Sequence, residues 1–130
     1  MKSISIEVSP GELIDKITIL EIKSAAIADA VKLRNVRTEL AVLAAARDRA
    51  MAPSPALHRL SADLKAVNEV LWQVEDAIRA CERSADFGPR FVDLARSVYR
   101  NNDRRAALKR QINELLGSEL VEEKSYEAYE

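Results

Sequence analysis

The feature that most narrows what this chain can fold into is the apolar spacing between Leu57 and Cys81. Apolar residues fall at Leu57, Leu60, Leu64, Val67, Leu71, Val74, Ile78 and Cys81, in alternating steps of three and four. That spacing holds one seam along one side of a helix, as in a long packed helix of a bundle or coiled coil. Ser54 is placed to cap the first turn, and Pro55 suits the first helical position, where its missing N–H has no partner to lose. A long helix with a one-sided seam needs partners, so the rest of the chain is read for elements that can cover it.

Residues 3–8 alternate polar and apolar, with Ile4, Ile6 and Val8 on one face, which predicts a short half-buried strand. Ser9, Pro10 and Glu12 then read as cap, first helical residue and capping-box carboxylate. The helix that follows carries a seam at Leu13, Ile17, Leu20, Ser24 and Ile27. Ile19 and Ile22 point nearly opposite, alongside Asp15 and Ala26. Past Val31 that seam loses phase, and a new one runs through Leu33, Val36, Leu40 and Leu43. With Asp29 available as a cap, the slip predicts a tight turn and a second helix, although one kinked helix would also fit. Met51 to Pro55 is a linker, and Ser84 to Pro89 a turn. The fourth helix keeps phase at Phe91, Leu94, Val98, Asn101, Arg105, Leu108, Ile112 and Leu115, and Gly117 ends it.

The expected fold is thus mainly α. Two helical hairpins form an up-and-down bundle, and the N-terminal strand is free to pair with the C-terminal segment. The chain is one domain, with strand 3–8, helices at about 10–28, 31–50, 55–83 and 89–116, and a tail 118–130.

Charge and composition exclude several function classes. Lys+Arg 20 against Asp+Glu 21 gives no global field for nucleic acid or anionic lipid. No apolar run reaches membrane-spanning length and the N-terminus lacks a signal-peptide pattern, so the expectation is a cytoplasmic protein. A single cysteine rules out an internal disulfide, and Cys81 on the seam reads as a small buried hydrophobe. His58 is the only histidine, so neither a His-based metal cluster nor a Ser/His triad can be built; no metal and no cofactor are expected. Asp86-Phe87-Gly88 matches a kinase tripeptide, but no Gly-rich loop accompanies it.

The unusual residues gather in one layer. Folding helices three and four about Ser84–Gly88 sets Leu71 level with Asn101 and Val67 level with Arg105. Asn68, Trp72, Glu75, Asn101, Asn102 and Arg105 then form a mid-bundle polar layer. An unpaired buried arginine would cost several kcal/mol, so either a carboxylate such as Glu75 answers Arg105 or the site is open to water. The layer either fixes helix register or lines a small pocket for an anionic or amide-bearing ligand. Arg96, Arg100 and Arg104 make a basic stripe on helix four, continued by Lys109 and Arg110. The acidic tail can lie along it and neutralise it, which speaks against nucleic-acid binding.

Four stretches carry a family resemblance: Ser9 to Lys23 (SPGELIDKITILEIK), Asp86 to Phe91 (DFGPRF), Asn102 to Asn113, and Glu122 to Tyr126 (EEKSY). They resemble a small bacterial family, domain of unknown function family 6165, over nearly the whole chain. The resemblance implies a common fold and no particular activity. Ile14-Asp15-Lys16-Ile17 with Lys23 is also similar to the first helix of helical chorismate mutases. Thr18 stands where that family has a second aspartate, and its later Lys and Arg positions find no match here.

The function expected from these readings is non-enzymatic. The chain reads as a helical interaction or scaffold protein, as a homodimer or with an unidentified protein partner, and without nucleic acid or membrane. The alternative is a ligand-binding protein or small enzyme using the Asn101–Arg105 layer. The dimer follows from lengths: helices three and four outrun helices one and two by roughly 12–15 Å at ~1.5 Å per residue. Ile78, Cys81, Phe87, Phe91 and Leu94 then lie on an uncovered arm that a second copy could cover.

Overall fold

A computed structural model describes residues 1–129. It is mainly helical, with four helices among the described residues: α1 (Pro10–Ala26), α2 (Ala30–Ala50), α3 (Pro55–Arg83) and α4 (Pro89–Leu115). Local chemistry sets their ends. The hydroxyls of Ser9 and Ser54 accept from the backbone N–H of Glu12 and Leu57, at 3.2 and 3.1 Å. The Asp29 carboxylate accepts from the Lys32 N–H at 2.9 Å, so α1 and α2 are separate helices with an extended break between them. After α4 the chain leaves through Gly117 at φ 65°, the left-handed region where glycine carries no Cβ penalty.

α1 is the centre of the bundle. It packs on α2, α3 and α4, whereas α2 packs on α1 alone. This follows from the two apolar faces of α1, since a helix that is hydrophobic on both sides has to be covered on both. Leu13, Ile14, Ile17, Leu20 and Ile22 are all buried. α2, by contrast, buries no residue fully, and Leu33, Val36, Leu40 and Leu43 stay half-exposed along its contact with α1. Both expected hairpins, α1–α2 and α3–α4, are present, and α2 lies on the outer side of the core that α1 makes with α3 and α4. Ile14, Leu57, Leu64 and Ile112 form the apolar centre, with Met51, Leu60, Leu108 and Leu116 around them.

α1 runs antiparallel to α4 and parallel to α3. Its start touches the end of α4, where Gly11 N–H donates to Asn113 Oδ1 at 2.7 Å. Its last residues, Ala25 and Ala26, lie beside Trp72 and Gln73 of α3. A Cβ on Gly11 would clash with the Lys109 carbonyl oxygen, so the close approach of α1 to α4 requires glycine at that position.

The expected N-terminal strand is not formed, and there is no strand among the described residues. Residues 1–8 are exposed, Ile4 at 76% and Ile6 at 75%. The reason is the lack of an edge to pair with. The C-terminal segment that was to supply one is engaged through side chains instead, Glu122 with Lys109 and Glu123 with Arg110. Position 130, the end of the expected tail, lies outside the described residues.

Candidate functional site

The polar layer exists, but its anchor is Asp15 of α1. Asp15 is 1% exposed. Arg105 of α4 donates to both its oxygens, Nε to Oδ1 at 2.8 Å and Nη2 to Oδ2 at 2.5 Å, the two-point geometry that a guanidinium fork gives a carboxylate. Asn68 Nδ2 of α3 donates to Asp15 Oδ1 and to Thr18 Oγ1, each at 2.9 Å. Thr18 Oγ1 in turn donates to the Asp15 carbonyl at 2.8 Å. One carboxylate thereby ties three helices at a single level.

A second ion cluster lies one turn toward the base. Lys109, its side chain only 8% exposed, bridges Glu12 at 2.8 Å and Glu122 at 2.7 Å. Among the described residues no buried side-chain polar atom lacks a hydrogen-bond partner. Burial pushes the Asp15 carboxyl up, but the hydrogen bonds from Arg105 and Asn68 and the charges of Arg105 and Lys109 outweigh it and hold the group below its ordinary 3.8. The hydrogen bond to Asp15 raises Arg105 further, against burial. For Lys109 burial acts downward, and Glu12 and Glu122 overcome it to leave the ammonium raised above 10.5.

Five of the six residues expected in the layer come together. Asn68, Trp72, Glu75, Asn102 and Arg105 line one open groove of about 530 Å³, together with Leu71, Val98 and Ile19. Asn101 does not join them. It is turned to the other side of α4, beside Val67 and Leu108, and its amide donates to the carbonyl and hydroxyl of Ser97 at 2.9 and 3.0 Å. Glu75 is in the groove but is not the partner of Arg105. It is exposed and takes Arg79, one helical turn on, at 2.7 Å.

Sequence reasoning set Asp15 aside as part of a second face of α1. The available signal was a carboxylate one turn from Thr18 in a helix otherwise apolar on both sides. Such a residue must be buried, and a buried carboxylate needs a cation. Of the five expected interface residues, Ile78, Phe91 and Leu94 are half-exposed and Phe87 is 53% exposed. Cys81, at 2%, is enclosed within the hairpin and offers no outer surface.

With Asp15 and Arg105 committed to each other, neither is a free acid, base or anion receptor. The groove is also lined by the Asn102 amide, the Asp76 carboxylate, the Trp72 indole and the Glu75–Arg79 pair. Among the described residues there is no cluster of three His, Cys, Asp or Glu that could hold a metal, and no helix long and apolar enough to cross a membrane. A model described as a family of unknown function, DUF6165, matches residues 4–129. The chain belongs to that family. No curated protein and no solved structure matches it. Membership of DUF6165 covers α1 to α4 and the tail, so the Asp15 layer and the arm beyond it both fall within the family's span.

Proposed function

We propose that this DUF6165 chain is a non-enzymatic helical interaction or scaffold protein whose working surface is the far half of the α3–α4 hairpin. One observation carries the reading: α1 ends beside Trp72 and Gln73, while α3 continues to Arg83. At ~1.5 Å per residue the hairpin runs on for roughly 15 Å with no third helix against it. Val74 and Cys81 are buried within the hairpin, but Ile78, Phe91, Leu94 and Val98 of that arm are only half-covered and Phe87 is exposed, which is the state of a surface that docks. The polar layer supports the same reading, because its charges close on one another and so serve the register of α1, α3 and α4. We place the protein in the cytoplasm, where a free thiol such as Cys81 is ordinary.

The groove favours a second reading, a binding site for a small ligand, since it collects Asn68, Trp72, Asn102 and Arg105 along one wall-to-wall cleft. A thermal-shift screen over anionic, cationic and zwitterionic metabolites separates the two. A ligand at a hundred times its dissociation constant adds about 2.7 kcal/mol, a readily measured shift. The interaction reading expects an unmoved melting temperature throughout. A metabolite that raises it, with the effect lost in Asn102→Leu, would replace that reading by the second.

A further inference from the structure

The arm is uncovered along one continuous face. Leu71 and Glu75 on α3 and Val98, Asn102 and Arg105 on α4 line the groove, and Ile78 on α3 with Phe91 and Ala95 on α4 continue the same helical phases toward the turn. At its inner end the groove meets the flank of α1 at Ile19. It is therefore the continuation of the seam that α1 itself occupies, and the shape it accepts is a helix. At the outer end Phe87 stands 53% exposed on the turn, held edge-on by Phe91 with ring centroids 5.4 Å apart. A large exposed aromatic thus sits at one end of the arm, and an apolar recess formed by Ile19, Leu71, Trp72 and Val98 at the other.

The rim charges are self-complementary. Glu75 and Asp76 lie one turn before Arg79 on the same exposed side of α3. Two arms laid antiparallel about a two-fold axis set Arg79 of each copy level with the partner's Glu75 and Asp76. That register has a consequence for the tip. The hairpin turn of each copy reaches the level of the partner's Asn68–Trp72 stretch, and Phe87 comes to the recess beside the partner's Ile19. Charge pairing and the aromatic knob call for the same offset, and an isologous interface requires one surface to serve as both donor and acceptor.

We propose that the groove is filled by the arm of a second copy of this chain, giving an antiparallel homodimer registered by Arg79 against the partner's Glu75 and Asp76 and locked by Phe87. The proposal rests on reading the arm as the working surface and names its occupant. Light scattering and sedimentation on the full chain test it. The wild type is expected to be dimeric at micromolar concentration. Phe87→Glu is expected to be monomeric, and Arg79→Glu to weaken association roughly tenfold or more at low salt, as loss of a close interfacial charge pair does. The combined charge swap, Glu75→Arg with Asp76→Arg and Arg79→Glu, is expected to restore the dimer. These side chains are exposed, so circular dichroism should show unchanged helix content in every variant. A monomeric wild type overturns the proposal and leaves the arm to a different protein partner. A dimer indifferent to Phe87→Glu and Arg79→Glu overturns it too, and a dimer that Phe87→Glu dissolves but the charge swap does not restore overturns the register. None of these outcomes touches the interaction reading itself, which falls only to the metabolite screen.

Discussion

Arg105 meets Asp15 across 90 positions of sequence, guanidinium edge to carboxylate edge. The carboxylate is almost wholly removed from water while 29% of the arginine side chain still reaches it. The pair is therefore asymmetric: Arg105 can be partly solvated if its partner is lost, and Asp15 cannot.

That asymmetry ranks three substitutions. Arg105→Leu is expected to destabilise by about 3–5 kcal/mol, because it strands a buried carboxylate with Asn68 as its only remaining side-chain donor. Asp15→Leu should cost less, since the freed guanidinium can turn to the groove, and the double variant should recover much of the Arg105→Leu loss. Glu75→Ala, by contrast, removes only an exposed one-turn pair and should stay within about 0.5 kcal/mol of wild type. Urea denaturation of the four variants checks the order. A Glu75→Ala loss as large as that of Arg105→Leu would contradict it.

The lowered Asp15 pKa fixes the sign of an acid dependence. The unfolded chain takes up a proton near 3.8 while the folded chain still holds the carboxylate ionised. The contribution of Asp15 is thus complete above 3.8 and is lost as pH falls through the lower folded value. Lys109 acts at the other limit: its raised pKa makes its contribution complete below 10.5 and lost as pH rises through the higher folded value. Denaturation midpoints measured across pH should show both limbs, and Asp15→Asn should flatten the acid limb and weaken the alkaline one only slightly, because Glu12 and Glu122 still hold Lys109.

Gly11→Ala tests the docking of α1 on α4. The new methyl would run into the Lys109 carbonyl oxygen and meet the Asn113 side chain at 2.9 Å, so α1 has to back away. Overpacking of this kind costs about 1–3 kcal/mol. The intrinsic helix preference for alanine would by itself predict a gain. A melting temperature above wild type would show that α1 is not held as close as described.

The two termini should behave as unpaired chain. Amides of residues 4–8 and 120–126 are expected to exchange at free-peptide rates, because neither segment forms regular backbone pairs. Protection of both segments together would mean that they pair after all. Deleting residues 119–130 removes Glu122 from Lys109 but leaves it Glu12, so a loss of only about 1 kcal/mol is expected in a denaturant titration.

The sequence by itself determined the helices. Steps of three and four from Leu57 to Cys81, the caps at Ser9, Asp29 and Ser54, and the phase slip after Val31 are local matters, settled within one or two turns. It also brought Asn68, Trp72, Asn102 and Arg105 to one level, because a short turn forces α3 and α4 into a nearly fixed register. What it left open was which charge answers Arg105. Periodicity gives a residue's angle about its own helix axis, and it says nothing of which neighbour that side will meet. Glu75 was the carboxylate expected to answer it, yet a neighbour one turn away, Arg79, satisfies Glu75 at little cost. Asp15 belongs to a different helix, with apolar faces on both sides that would accept either orientation. Only the tertiary structure chose between them. The bare backbone at Gly11 lets α1 approach α4 closely enough for Asp15 to reach Arg105, and the cost of burying a carboxylate without a cation then excludes the other way of docking that helix.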